Sequence, residues 1–102
     1  MNFLPLKDNK PSEKEITREI RAYLKIRGIF HWKAWQGLGS TPGCPDIIGI
    51  HKGRMIGIEV KATRGKVTEI QQQFLDRING CGGIAFVARS VEDVEKGLNC
   101  KI

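Results

Sequence analysis

Between Pro45 and Lys61 the chain reads PDIIGIHKGRMIGIEVK, two short runs of isoleucine and glycine that meet at Lys52 and Gly53. Apolar runs this short read as buried strands, and a two-residue link between them makes a β-hairpin. Their unbroken apolarity predicts that neither face of the sheet stays in water, so helices must flank it. The hairpin thus points to an α/β fold before any other segment is read.

A turn at Lys52 and Gly53 sets the pairing. His51 then opposes Arg54, Ile50 opposes Met55, and at the far end of the ladder Asp46 faces Glu59. Directly opposed Cβ atoms lie about 4.5–5.5 Å apart, close enough for two carboxylates to repel unless a cation sits between them. A bulged turn would shift this register by one residue. Lys61, two residues beyond Glu59, falls on the same side by the period-two alternation of a strand. Two hard oxygen ligands suit Mg²⁺ or Mn²⁺, and a neighbouring ammonium can hold or help deprotonate an attacking water. The arrangement suits hydrolysis of a phosphodiester. A plainer alternative is that Asp46 and Glu59 are strand-end residues paired with Lys61 or with loop arginines.

The remaining segments complete the fold. Residues 1–11, polar and twice interrupted by proline, read as an N-terminal arm, and a single domain occupies residues 12–102. Ser12 with Glu15 three positions later forms a capping-box signature, and Ile16, Ile20, Tyr23 and Leu24 follow at helical spacing until Gly28. IFHWKAW reads as a first strand and QGLGSTPG as a loop. Thr68 caps a second helix with Ile70, Phe74, Leu75 and Ile78 on its apolar face, IAFVA is a buried strand, and Ser90 caps a last helix. The predicted order is α-β-β-β-α-β-α, a mixed sheet flanked by helices.

Composition narrows the partners. Seventeen Lys and Arg against eleven Asp and Glu leave a net charge of +6, which favours a polyanion, with nucleic acid the first expectation. Cys44, Cys81 and Cys100 form no CxxC pair, and zinc and a disulfide framework are disfavoured; a reducing, cytoplasmic setting fits better. The apolar start MNFLPL is too short for a membrane span or a signal sequence.

GCPDIIG, IGIEVK, GKVTEIQ and GGIAFVARSVEDV, in this order, resemble the VRR-NUC (virus-type replication-repair nuclease) family of the PD-(D/E)xK nucleases, over roughly residues 12–98. The resemblance implies a restriction-endonuclease-like core and a divalent metal bound by Asp46, Glu59 and the carbonyl of Val60. It also implies that Lys61 positions or activates the water, that Cys44 counts only as a small residue, and that Gln71 lies near the active site, although T-x-x-Q is itself a capping box. Relatives also carry a first-helix glutamate that can complete the metal site. Glu13 shares the face of Ile16, Ile20 and Leu24 and is preferred to Glu19 and to Glu15, which has its own task in the cap, though Glu15 stays open.

Lys14, Arg18, Arg21 and Lys25 make a basic stripe along the first helix. Lys52, Arg54, Arg64, Lys66 and Arg89 sit in turns or at element ends, from which side chains reach phosphates. Trp32 and Trp35 are expected in the core or at a dimer interface, with base stacking as the alternative. Standalone relatives of this size resemble phage proteins that act as homodimers on branched DNA such as Holliday junctions, which would place the chain in a bacterial or phage-infected cytoplasm. The expectation is a metal-dependent, structure-specific DNA endonuclease. The competing readings are a non-catalytic DNA-binding or assembly module on the same fold and a sequence-specific restriction-type endonuclease.

Overall fold

The computed structural model describes residues 10–99. Most of the expected arm, residues 1–9, and Cys100 lie outside them. The elements are α1 (Glu13–Ile26), β1 (Phe30–Lys33), β2 (Ile47–His51), β3 (Arg54–Val60), α2 (Glu69–Gly80), β4 (Ile84–Ala88) and α3 (Val91–Asn99), in the predicted order. The sheet runs β1-β2-β3-β4, antiparallel except for the parallel β3–β4 pair. A parallel pair cannot be joined by a tight turn, and α2 supplies the crossover.

The hairpin keeps the register read from the sequence: His51 pairs with Arg54, Ile50 with Met55, and Ile47 with Ile58. Lys52 and Gly53 both have positive φ, 52° and 78°. This is what a two-residue type I′ turn requires, and glycine meets it without strain. No bulge intervenes, so the ladder runs on towards Asp46 and Glu59.

Both capping boxes form. Ser12 Oγ accepts from Glu15 N while Glu15 Oε1 accepts from Ser12 N, and Thr68 and Gln71 exchange the same pair of bonds. Behind the first cap, Ile16, Ile20 and Leu24 pack with Ile47, Ile56, Ile58 and Val60 of the sheet and with Val94 and Leu98 of α3. α2 lies on the opposite face, where Leu75 and Ile78 meet Ala85. Its close approach depends on Gly57, whose absent Cβ would fall 2.8 Å from Ile78 Cδ1.

Three sequence expectations change. β1 ends at Lys33, because beyond Ala34 N, which donates to the Asp46 carbonyl, the chain leaves the sheet and Trp35 Nε1 turns to the Leu38 carbonyl. Ile70 is exposed, lying against the loop at Gly43 instead of the sheet. The sheet is also not covered everywhere: α2 crosses between β3 and β4, so Phe30, Trp32, Ile50 and Met55 retain 68, 43, 50 and 41 % exposure. Trp32 and Trp35 are therefore surface residues of the chain.

Candidate active site

Where β2 and β3 part, beyond Ile47 and Ile58, the strand ends carry the acids. Asp46 Oδ2 accepts from the Val60 amide at 2.7 Å, so the side chain takes the place of a backbone ladder partner and holds its carboxylate against β3. Glu59, only 2 % exposed, points to the face covered by α2. There its Oε2 accepts from Gln71 Nε2 at 3.2 Å and lies 3.7 Å from Lys61 Nζ. Gln71 thus makes two side-chain bonds: its carbonyl oxygen closes the cap on Thr68 and its amide nitrogen donates to Glu59.

The other Glu59 oxygen, Oε1, is buried without a hydrogen-bond partner. An unpaired buried carboxylate oxygen is costly, and the acid responds by holding its proton. Burial first, then the negative charge of Asp46, push the Glu59 pKa from 4.5 up to about 8. Lys61 opposes this shift and Glu13 adds slightly to it. Burial and the same two carboxylates also push the Cys44 thiol up, away from the thiolate a metal ligand needs, in keeping with its expected role as a small residue. Two facing hard-oxygen donors, one with an unsatisfied buried oxygen, fit a divalent cation.

Glu13 stands at the rim. It lines an open groove of about 580 Å³ with Lys14, Thr17, Arg18, Arg21, Lys33 and Asp46. Among the described residues no three His, Cys, Asp or Glu side chains gather as a ligand set, so the structure places Glu13 near the acid pair without making it a third member. Its exposed position in the first turn of α1 is the reason. Glu15 is engaged in the cap.

The expected phosphate contacts divide. Arg18 and Arg21 border the Asp46 groove, and Lys25 borders the groove that continues from Arg21 along β1. Arg64 and Lys66 are exposed on the loop that follows Lys61. Lys52 and Arg54 are at the other end of the hairpin, about 20 Å from Asp46 at roughly 3.3 Å per residue, and Arg54 Nε donates to the Gly82 carbonyl. The Arg89 guanidinium is committed to the carbonyls of Ala62 and Gly65 at 2.6 and 2.8 Å, clasping the loop that carries Arg64. Sequence reasoning missed Lys33, which the β1–β2 register sets opposite Ile47, one residue from Asp46. The FHWK alternation was its available signal.

No helix among the described residues is long and apolar enough to cross a membrane. No protein of curated description matches the chain. A solved structure described as a VRR_NUC domain superposes with a TM-score of 0.70 at 21% identity, over 90% of this chain and 100% of that one, which shows a shared fold. The sequence pattern of the VRR-NUC domain matches residues 5–92, nearly the whole length. With the hairpin, its acid pair and its lysine in the places described, the chain belongs to the VRR-NUC domain family of nucleases.

Proposed function

We propose that the protein is a Mg²⁺- or Mn²⁺-dependent endonuclease that hydrolyses DNA phosphodiester bonds, acting as a homodimer on branched DNA such as Holliday junctions. The observation that carries the metal-dependent reading is the buried, unpartnered Oε1 of Glu59, an acid that faces Asp46 and whose other oxygen lies 3.7 Å from Lys61 Nζ. A protein gains nothing in stability from such an oxygen, and a cation there would satisfy it.

Asp46 and Glu59 would hold the metal, with the Val60 carbonyl as a further donor and Glu13, which lines the same groove as Asp46, as an outer carboxylate. When bound, the cation supplies Lewis-acid polarisation of the scissile phosphate and stabilises charge on its oxygens. Lys61, 12 % exposed and 3.7 Å from Glu59, holds and orients the attacking water and balances the anionic cluster. Gln71 holds Glu59 by bonding one oxygen and leaving the other unpartnered. Hydrolysis forms one P–O bond from water and breaks one P–O ester bond, with the water proton passing to solvent or to the departing oxygen. Arg64 and Lys66 on one side, and Arg18, Arg21 and Lys25 on the other, supply phosphate contacts. Arg89 contributes by holding the Arg64 loop.

The test is incubation of labelled four-way junction, flap and linear duplex with Mg²⁺, with Mn²⁺ and with chelator, beside Asp46→Ala and Lys61→Ala. Metal-dependent cutting that both variants abolish is expected. Cutting that survives chelation refutes the metal, and binding without cutting supports a non-catalytic module. Symmetric junction cuts support the branched substrate, and the mass in solution tests the dimer.

A further inference from the structure

β1 is an edge strand, and its sequence, FHWK, alternates aromatic and polar residues. Because side chains of a strand alternate between faces, Phe30 and Trp32 stand on one face of this edge and His31 and Lys33 on the other. The aromatic face is uncovered. The two rings lie 5.5 Å apart, tilted by 52°, and Phe30 and Trp32 pair with Ile50 and Ile48 of β2. The polar face opens on two grooves that share Arg21: one contains Lys33, Arg18 and Asp46, the other Lys25, Phe30 and His31.

The edge therefore offers stacking surfaces on one side and a cationic trough on the other, and its Lys33 end lies beside Asp46. Fully paired DNA hides its base faces, whereas an unpaired stretch exposes them together with its phosphates. Aromatic platforms beside a basic groove are the physical means by which proteins hold single strands. We propose that the β1 edge is a rail for unpaired nucleotides next to the scissile phosphate, with bases on Trp32 and Phe30 and phosphates along Lys33, Arg21 and Lys25. Four residues span about 13 Å, room for roughly two splayed nucleotides. The rail rests on the nuclease reading above and sharpens its substrate: DNA with an unpaired segment at the cut, such as a flap or an open junction arm.

The test uses the full chain in chelator, where metal-dependent cutting is blocked. Labelled short oligothymidylate, a blunt duplex and a duplex bearing a short flap are the probes, read by anisotropy at low and moderate salt. The wild type is expected to bind the oligothymidylate and the flap more tightly than the blunt duplex. Trp32→Ala should remove about tenfold of that preference while duplex binding stays within about twofold, and Trp32→Phe, which keeps a π face, should retain most of it. Lys33→Ala should instead weaken all three probes and lower the salt slope by about one. If Trp32→Ala does not fold, Phe30→Ala reads the same platform.

A Trp32→Ala protein that binds all three probes as the wild type does overturns the rail. So does a wild-type dimer that this variant dissociates, because the aromatic face would then belong to a second copy of the chain. The two readings fail separately. Metal-dependent cutting without single-strand preference refutes the rail alone, and single-strand preference without cutting refutes the nuclease activity alone.

Discussion

Replacing Glu59 by glutamine should make the metal-free protein more stable at neutral and alkaline pH while destroying its activity. In the folded chain the Glu59 carboxyl titrates near 8, against an ordinary 4.5. Between those values the native state binds a proton that the unfolded state has released. Stability contributed by the protonated group is therefore fully present below about 4.5 and is lost as pH rises through about 8. At about 1.4 kcal/mol per pH unit the ceiling is about 5 kcal/mol. Lys61 and the solvent reaching this end of the sheet screen the interaction, leaving about 2 kcal/mol as the working magnitude. Glutamine removes the titration, can accept from Gln71 and can donate to Asp46. For a domain of this size that difference is worth about 10 °C in Tm.

The assay is thermal unfolding by circular dichroism in chelator, from pH 5 to 8.5, on wild type and Glu59→Gln. The wild-type Tm should fall relative to the variant's as pH rises, with most of the divergence present by pH 8. His51 has a pKa lowered by burial and by Lys52 and Arg27, which works in the opposite direction, adding stability as pH rises through 6.5. It is common to both proteins and cancels in the difference. Added Mg²⁺ or Mn²⁺ at pH 8 should raise the wild-type Tm and leave the variant's unchanged. Parallel pH curves for the two proteins would refute the strained-carboxylate argument, and equal metal shifts would refute Glu59 as a ligand.

Gln71→Glu should preserve the Thr68 cap, since T-x-x-E also closes the box, yet set a like charge beside Glu59; a Tm drop that grows with pH, together with weaker metal binding by calorimetry, is the expected outcome. Gln71→Ala loses both bonds and should cost about 1 kcal/mol in urea unfolding even at low pH. Gly57→Val would drive a side chain into Ile78 and Pro45 and should cost about 2 kcal/mol, read as a lower urea midpoint at unchanged slope. Arg89→Ala frees the Ala62 and Gly65 carbonyls, and faster proteolysis of that loop with weakened DNA binding should follow, with little change in Tm.

The primary sequence already determined the element order, both capping boxes and the hairpin register, because each depends on neighbours close in the chain. Ser12 and Glu15, Thr68 and Gln71, and the turn at Lys52 and Gly53 are local pairs whose geometry follows from spacing alone. Register then carried the inference one step further, to Asp46 facing Glu59 with Lys61 alongside. Tertiary structure decided what depends on packing between distant segments. It left the aromatic face of β1 bare, because a helix joining parallel β3 and β4 cannot also cover the sheet edge. It turned Arg89 inward onto the loop carbonyls, carried Lys52 and Arg54 to the far end of the hairpin, and brought Lys33 to the acids. Burial of Glu59, which raises its pKa, likewise arises only when α2 closes over the strand: desolvation is a property of the folded volume, invisible to spacing along the chain.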